Sequence, residues 1–531
     1  MNTRTTYLPF QGGLDQVSAP YSMPDGSAIE AENFEIGPLG GYARIPGFER
    51  FDGQPEPHKA APTGGSTPRE VAQSQLDAAN ARRALITAVP GSGPIRGVVA
   101  FNEVVYAFRD NAAGTACAMY RSSPTGWQLV TTPTLQPGGA CRFAIWNFGG
   151  AVFKRTLYGC DGVNKAFFFD GTTFTQITTG MAPDAPGCIA AHKNHLFLAF
   201  GASLQHSAIA DPTSWTPVLG AGEIALGDDI TNLAVTPGGS GNATLLATTR
   251  SSVRILYGNS AADWQLVTLS DETGAYRGSV TQMGANFALS RRGVIALQAD
   301  NTFANFNVSA LSARVAKFVE ARAPQVRGVT TSFARNQVTW HFGAGVALTT
   351  TVGPNGVMGF LPLSYGVPFS TFWSASRIDG SDLVLAGGED GFVYSLNVGT
   401  SFDGAPIPAR LWLNYSSIRS PRNRKRFRKA VIEATADSFA SFQTRASFSF
   451  GDSAIVPFDD HGAELRPSYS AWDTALWDVF FFDGRPIEPI EIKLEGSGET
   501  VSLMFASNTN LASRFTLHGA IVHFDLRRLA R

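Results

Sequence analysis

One stretch of the sequence holds residue types that could bind a metal. Cys188, His192 and His195, with His206 further along, offer the thiolate and imidazole ligands that Zn²⁺ prefers. The two histidines in CIAAHKNHLFLAF flank an expected tight turn, however, and a histidine at the end of a hairpin is usually exposed to solvent. We therefore favour a structural interpretation and expect no metal and no cofactor.

A second stretch could supply an acid or a base. It consists of Asp459, Asp460 and His461, but carboxylates beside a glycine, as in VPFDDHGAE, more often form a turn. Signatures of nucleotide binding and of hydrolases are absent, since no Gly-Lys dipeptide, G-x-S-x-G, G-x-G-x-x-G or H-E-x-x-H occurs. A glycosidase needs only two facing carboxylates, so that activity stays open without support. We expect no catalytic residues and no enzyme.

The densest cluster of charge is RSPRNRKRFRK. Its cations are Arg419, Arg422, Arg424, Lys425, Arg426, Arg428 and Lys429. Such a run could neutralise the phosphates of a nucleic acid, but the arginine fork also suits carboxylates across an interface. Pro421 suggests a loop between two strands. A subunit or partner interface is our first interpretation, with a solvated loop and a surface close to DNA as alternatives.

Aromatic residues are concentrated near the end of the chain, in AWDTALWDVFFF. Trp472 and Trp477 are followed by Phe480, Phe481 and Phe482. Such a density could stack on sugars or on a partner, but burial in a β-sandwich core is the favoured role.

Composition indicates an all-β protein without strong electrostatic steering. The 531 residues include 42 Lys+Arg against 43 Asp+Glu, and only 16% are charged, which disfavours a basic coat for nucleic acid. The 55 glycines and 38 phenylalanines predict many turns and many aromatic strand positions. No apolar run approaches the ~18 to 20 residues that a membrane helix needs. The N-terminus lacks a signal-peptide pattern, so we expect a soluble protein made in a reducing cytoplasm.

A hairpin repeats from about residue 93 to 400. Its copies start at Asn102, Arg155, Asn194, Asn242, Asn286, Asn336 and Ser381. The spacing resembles the ~40 to 50 residues of a four-stranded propeller blade. An aromatic residue leads a further strand after several copies, at Trp127, Phe174, Trp215 and Trp264. The sequence predicts a β-propeller of about seven blades, six to eight being possible, with irregular β-sandwiches as the alternative.

Four segments follow along the chain. Residues 1–53 form an extended N-terminal arm rich in Gly and Pro, which must pack on a neighbour or on a later domain of its own chain. Residues 54–92 form a linker with one surface helix over 68–86, signalled by the capping box Thr67 to Glu70. The propeller occupies 93–400, and alternating strands predict a C-terminal β-sandwich over 401–531. We expect the propeller to fold without residues 1–50.

Several short sequence motifs, taken in order along the chain, resemble those of a known family. The arm contains GGL, PDGSAIEAENF and GGYARIPGFERFDG, and RRALITAVPGSGPIRGV, HKNHLFLAFG, ADPTSW, DLVLAGGEDGFVYSL and SPRNRKRFRKAVIE follow. Together they resemble the tail nozzle, or tail tube protein B, of short-tailed (podovirus-type) bacteriophages. The resemblance extends over most of the chain.

The resemblance implies a structural role in the virion tail, after assembly in the cytoplasm of the bacterial host. Six copies would form a homohexameric ring below the portal adaptor protein, contact tail fibre or tail-tip proteins, and conduct or gate double-stranded DNA during ejection. A receptor- or glycan-binding propeller at the tail tip is the alternative, and a polysaccharide depolymerase a weaker one. The arginine cluster and eight arm residues are candidate assembly determinants: Asp15, Pro24, Gly26, Asn33, Tyr42, Arg44, Pro46 and Gly47. They could instead simply shape turns.

Overall fold

The N-terminal arm consists of short strands. A computed structural model describes residues 3–149, 153–236, 243–297, 310–451, 461–465 and 488–529. The arm holds β1 (Arg4–Pro9), β2 (Ala28–Glu32), β3 (Phe34–Ile36), β4 (Tyr42–Arg44) and β5 (Phe48–Phe51). Strand β3 pairs only with β4, but β1, β2 and β4 pair with strands of the C-terminal sheets, and β5 joins a sheet near residue 390.

Seven antiparallel sheets follow and form the blades of a β-propeller. Blade 1 contains β6 (Ser92–Phe101), β7 (Val104–Asp110), β8 (Cys117–Arg121) and β9 (Gln128–Leu135). Blade 2 contains β10 (Arg142–Gly149), β11 (Phe153–Cys160), β12 (Phe167–Phe169) and β13 (Phe174–Gln176). Blade 3 contains β14 (Cys188–His192), β15 (His195–Phe200), β16 (Ser203–His206) and β17 (Gly222–Ala225). Blade 4 contains β18 (Ile230–Val235), β19 (Leu245–Thr249), β20 (Val253–Tyr257) and β21 (Gln265–Ser270).

The last three blades complete the ring. Within the described residues, blade 5 contains β22 (Thr281–Met283), β23 (Ala285–Ser290) and β24 (Gly293–Leu297). Blade 6 contains β25 (Val326–Ser332), β26 (Gln337–Phe342), β27 (Val346–Gly353) and β28 (Gly356–Ser364). Blade 7 contains β29 (Phe369–Ser376), β30 (Asp382–Gly388) and β31 (Val393–Leu396), with arm strand β5 as its fourth strand.

Apolar clusters lie between all adjacent pairs of blades. Phe108 of blade 1 packs with Phe167 of blade 2, and corresponding clusters join each later blade to the next. Ile95 of blade 1 shares a cluster with Leu385 of blade 7. Because the first and last blades bury apolar surface against each other, the ring is closed, and the prediction of an all-β propeller of about seven blades is confirmed.

The hairpin repeat marks the inner turns of the blades. Asn102, Asn194 and Asn336 each occupy such a turn with a positive φ, a conformation that asparagine tolerates better than most residues. The prediction of a strand directly after Trp215 is wrong. Pro217 instead begins a 3₁₀ turn over Pro217–Leu219, because proline has no N–H to donate to a sheet.

Two α-helices lie outside the sheets in the described residues. Helix α1 (Pro68–Arg83) has the predicted capping box, in which the Thr67 side chain accepts from the Glu70 N–H and the Glu70 carboxylate accepts from the Thr67 N–H. Only Leu76, Ala79 and Arg83 are buried, and its other residues are exposed or half-buried, as expected for a surface helix. Helix α2 (Ala316–Arg322) was not predicted. Neither helix is long and apolar enough to cross a bilayer.

The C-terminal residues form a β-sandwich around the arm. Its strands are β32 (Ile407–Leu413), β33 (Asn423–Ala436), β34 (Ala440–Phe448), β35 (His461–Leu465), β36 (Glu488–Gly498), β37 (Val501–Thr509) and β38 (Phe515–Leu529). One sheet has the order β3-β4-β38-β33-β36, with β1 also paired to β38, and the other has the order β2-β32-β37-β34-β35. The sandwich core continues into the interface between blades 5 and 6, so sandwich and propeller share one apolar cluster.

Candidate functional site: the arm, the arginine face and the axial cavity

The histidines considered as metal ligands are buried between blades 3 and 4. His195 Nδ1 lies 2.7 Å from the carbonyl oxygen of Ser207, and the His206 ring centroid lies 4.2 Å from that of Trp264. The expectation that His192 and His195 are exposed is therefore wrong, because the aromatic side chain of the next blade covers the end of the hairpin. Burial lowers the pKa of His192 to about 4.

No metal site emerges among the described residues. In those ranges no group of three or more His, Cys, Asp or Glu side chains is arranged to hold a metal ion. Asp459 and Asp460 lie outside the described residues, and of His461 only the backbone is described. The stretch from Trp472 to Phe482 also lies outside them.

Asn33 of the arm joins the propeller to the sandwich. Its side-chain amide donates to the carbonyl oxygens of Ser364 in blade 6 and of Pro408 in β32, at 3.1 and 2.7 Å. Its side-chain oxygen accepts from the Ser364 N–H at 2.7 Å. Asn33 is fully buried and adopts a φ of 56°, which asparagine tolerates. One residue thus fixes the relative position of both units.

Glu35 has the same bridging function, although no sequence motif marks it. Its carboxylate is buried and pairs with Arg514 of the sandwich, with the Arg514 Nη2 at 2.8 Å, and with Arg335 in the first hairpin of blade 6. Burial lowers the pKa of Arg335 to about 9. Only the three-dimensional structure brings these three charges together, since they are hundreds of residues apart.

Tyr42 and Arg44 are buried inside the sandwich. The Tyr42 hydroxyl accepts from the Gly13 N–H at 3.0 Å and lies 2.9 Å from the carbonyl oxygen of Gly26. The Arg44 guanidinium donates to the carbonyl oxygens of Thr509 and Ala512, each at 2.6 Å. Burial lowers the pKa of Arg44 to about 10. Both side chains hold loops of the same chain together.

Asp15 and Pro46 also contact their own chain. Asp15 is buried and its Oδ1 accepts from the N–H groups of Val17 and Ser18. Burial acts to raise the pKa of Asp15, but these hydrogen bonds and the charge of Arg314 outweigh it and lower the pKa. Pro46 is half-buried between β4 and β5.

The remaining arm candidates occupy tight turns. Gly26 has a φ of 87° and donates its N–H to the side chain of Asn414, which in turn donates to the carbonyl oxygen of Pro24. A Cβ on Gly47 would lie 1.9 Å from the carbonyl oxygen of Ser401, so only glycine fits there. All eight candidates thus have partners within the chain, and their role in assembly stays a prediction.

Strand β5 completes blade 7. Phe48 packs against four rings, with centroids at 4.9 Å (Phe402), 5.4 Å (Tyr394), 5.7 Å (Phe369) and 6.0 Å (Tyr365). Deleting residues 1–50 would remove three of the four residues of β5 together with this core. This packing argues against the expectation that the propeller folds without those residues.

Most of the arginine cluster lies in strand β33 rather than in the predicted loop. Along β33 the side chains alternate, so that Arg424, Arg426 and Arg428 are exposed while Lys425 and Phe427 are buried. This alternation is the period of two of a strand with one face in a core. Phe427 within the run was the signal, because a solvated loop has no need for a buried ring.

Lys425 serves the fold rather than an interface. Its Nζ donates to the carbonyl oxygens of Ser420, Asn423 and Glu499, at 2.7, 3.0 and 2.8 Å. Burial lowers the pKa of Lys425 to about 8. Because three carbonyl groups surround the ammonium, Lys425 is unavailable to an external partner, and its assignment as an interface residue is not supported by its position.

The far end of the run is neutralised within the sandwich. Arg428 Nη2 lies 2.6 Å from Asp525 Oδ2, and Lys429 Nζ lies 2.8 Å from Glu491 Oε2. Hydrogen bonds from Arg428, together with one from Thr3, lower the pKa of Asp525. Both cations are therefore compensated by carboxylates of their own chain.

The near end of the run is a bare cationic surface, which we call the arginine face. It consists of Arg422, Arg424 and Arg426, all exposed, and Arg419 lies beside it in the preceding turn. None of these four makes an ion pair with a described residue. Unlike Arg428 and Lys429, they are free to bind acidic groups of another molecule.

The propeller axis contains a cavity of about 270 Å³ that sequence reasoning missed. It is lined by Arg96 of blade 1, Arg142 of blade 2 and Arg327 of blade 6. The other blades contribute Cys188, Leu233, Val280 and Trp373, among others. Every blade therefore reaches the cavity through its innermost strand or the residues just before it. We call this space the axial cavity.

A repeated dipeptide could have indicated these arginines. Arg-Gly occurs at 96–97, 277–278, 292–293 and 327–328, and in all of these but 292–293 it lies in the inner strand of a blade or just before it. The glycine is required because the next blade packs against it: a Cβ on Gly97 would lie 2.4 Å from the Cβ of Cys141, and one on Gly328 would lie 2.6 Å from the ring of Phe372. Of the arginines in these dipeptides, Arg96 and Arg327 line the axial cavity.

Comparisons with known proteins give only distant similarities. No family model matches the sequence, and no curated protein matches it. Among solved structures, the chain is similar to one described as the structure of U3-55K, with 11% identity and a TM-score of 0.38 over 59% of this chain and 99% of that one. It is also similar to the WD40 repeats of RRP9, with 11% identity and a TM-score of 0.40 over 59% and 98% of the two chains.

Proposed function

We propose that this protein is a structural, non-enzymatic subunit of a bacteriophage tail, of the nozzle or tail-tube type. It forms a homohexameric ring below the portal adaptor, contacts tail fibre or tail-tip proteins, and conducts or gates the genome during ejection. The proposal rests on one observation. Short sequence motifs, in order from the arm to β33, resemble those of that family of virion proteins.

The way the arm is used supports a mechanical role. Asn33 and Glu35 each contact both propeller and sandwich, and both residues are buried. The two units are therefore joined by hydrogen bonds and ion pairs as well as by a shared apolar core. A subunit of a pressurised conduit has to transmit force without bending between its domains, and this construction provides that stiffness.

The arginine face supports contact between copies or with a neighbouring virion protein. A ring requires head-to-tail contacts between two different surfaces, and a surface with several exposed arginines fits an acidic one. The net charge of −1 means that the rest of the chain carries enough acidic residues to supply such a surface. Arginine suits this role because its fork binds a carboxylate through two hydrogen bonds.

The genome would pass between copies rather than through a propeller. The axial cavity, at about 270 Å³, has the volume of a small molecule and is far too small for duplex DNA. A conduit therefore has to be the lumen of the ring. A nearly neutral protein suits such a lumen, because a strongly basic wall would bind phosphates and slow the passage of DNA.

Particle incorporation tests the proposal. Quantitative mass spectrometry of purified particles should find about half as many copies of this chain as of a twelve-fold portal, as a six-fold ring requires. The variant Arg422→Glu/Arg424→Glu/Arg426→Glu should fold but be absent from particles. The control Arg121→Glu/Arg155→Glu/Arg292→Glu makes the same charge change at exposed propeller positions and should be incorporated normally.

Three results would contradict the proposal. Absence of the wild-type chain from particles would exclude a tail role. If the arginine-face variant entered particles at the wild-type level, that surface would have no role in assembly. Purified protein that adsorbs to host cells and blocks infection would instead favour a receptor- or glycan-binding propeller.

A further inference from the structure

The axial cavity gathers positive charge without matching negative charge. Three arginines line it, Arg96, Arg142 and Arg327, and no carboxylate is among the described residues of its wall. The charge of Arg96 is compensated by Asp110, since Arg96 Nη2 lies 2.6 Å from Asp110 Oδ2. Arg142 and Arg327 form no ion pair within the described part of the chain.

The side chain of Arg142 reaches across the axis. An ideal Cβ on Gly278 of blade 5 would lie 3.2 Å from Arg142 Nη2 and 3.7 Å from the carbonyl oxygen of Arg327. The Arg142 guanidinium of blade 2 therefore crosses towards blades 5 and 6, on the other side of the ring. Arg142 is half-buried and Arg327 is exposed, and no carboxylate of the described wall compensates either charge. Uncompensated positive charge of this kind attracts an anion.

The rest of the wall contains aromatic side chains as well as the arginines. Phe143, Phe372 and Trp373 line the cavity, and the Phe372 ring stacks on His341 at a centroid distance of 4.0 Å. The volume of about 270 Å³ suits a compact anion.

We propose that the axial cavity is a binding site for a small phosphate anion carrying several negative charges, held by Arg142 and Arg327 with Arg96 at its edge. Guanidinium groups bind phosphate oxygens through paired, charge-assisted hydrogen bonds. Through a bound anion they would link blade 6 to blades 1 and 2, with which blade 6 shares no interface. The site is independent of the proposed tail function, because it needs only the isolated propeller ring.

Thermal unfolding of the full chain with inorganic pyrophosphate as the probe tests this site. At matched ionic strength, pyrophosphate should raise Tm saturably, as expected for a ligand that binds only the folded state. The double variant Arg142→Gln/Arg327→Gln should lose about tenfold or more in affinity, since charge-assisted hydrogen bonds are among the strongest. Citrate, a carboxylate of similar charge, should bind more weakly, which separates phosphate recognition from simple charge attraction.

The control is Arg121→Gln/Arg155→Gln, which removes two exposed arginines from blades 1 and 2. Both donate only to side-chain amide oxygens, so no carboxylate is left unpaired. This variant should bind pyrophosphate as the wild type does. If the axial variant fails to fold by circular dichroism, Arg142→Lys/Arg327→Lys keeps the charge and should still weaken binding, because lysine lacks the planar fork. No saturable shift in the wild type, or equal losses in the axial and control variants, would overturn the proposal.

Discussion

Replacing Phe48 by alanine tests whether the arm closes the propeller. Phe48 is 1% exposed and contacts four aromatic rings contributed by blade 7 and the segments on either side of it. The substitution would leave a cavity at the point where strand β5 is attached. It changes no charge and no backbone hydrogen bond, so its effect reports the packing of the closing strand alone.

The expected loss is large for a single residue. Phe→Ala substitutions in cores cost about 3–5 kcal/mol, the sum of lost transfer energy and the remaining cavity. The edge-to-face pairs of Phe48 with Tyr394 and Phe369, and its stacking on Phe402, place this site towards the upper end of that range. Phe48→Leu fills most of the space and should cost less than half as much.

Urea unfolding at equilibrium, followed by tryptophan fluorescence and by circular dichroism, measures this loss. Phe333→Ala is the matched control, since Phe333 is 51% exposed in a propeller turn and its removal should change the free energy of unfolding by about 0.5 kcal/mol or less. A loss below about 1 kcal/mol for Phe48→Ala would refute the reasoning, because removing a buried phenylalanine that anchors the closing strand should cost about 3–5 kcal/mol.

Two further predictions concern buried polar groups. Tyr42→Phe leaves the buried Gly13 N–H without its partner and should lower the free energy of unfolding by about 1–3 kcal/mol in the same urea assay, whereas no change would show that another group replaces the hydroxyl. Burial lowers the pKa of His341 to about 3 and that of His192 to about 4, so the unfolded chain binds more protons below pH ~6.5 and stability should fall as the pH drops from there. His341→Asn should make that pH dependence shallower by up to about 1.4 kcal/mol per pH unit, and an unchanged slope would contradict it.

The blades were predictable because their signal is local. Asparagine in the hairpin turns, as at Asn102, Asn194 and Asn336, recurs with the blade, and the adjoining strands are apolar. The capping box of α1 is equally local and was predicted from four residues. In such cases the interacting groups are neighbours in sequence, so spacing alone identifies them.

The arm was harder to interpret because its partners lie near the other end of the chain. Strand β1 pairs with β38, and β5 pairs with β31, but nothing within the first 53 residues specifies these partners. Its glycines and prolines correctly excluded long regular elements, yet strands of three to six residues need little room. The buried histidines were misjudged for the same reason, since Trp264 that covers them belongs to the next blade.

The axial arginines show a third limit. The three arginines are far apart in sequence. Arg96, Arg142 and Arg327 line one cavity only because the ring brings separate inner strands to one axis. Recognising the Arg-Gly dipeptide as part of the repeat would have placed Arg96 and Arg327, whereas Arg142 is followed by Phe143 and escapes that pattern.

The pairing of Phe51 with Val393 has a consequence for synthesis on the ribosome. Strand β5 emerges more than 340 residues before its partner, and at about 5–20 residues per second it waits roughly 20–70 seconds unpaired. Strand β1 waits longer still, because its partner β38 lies further along the chain than β31. A ribosome that stalls before residue 393 therefore releases a chain in which neither unit can close. Such fragments expose unpaired strand edges, become substrates for chaperones and proteases, and cannot compete with complete chains for partners that recognise the folded surface.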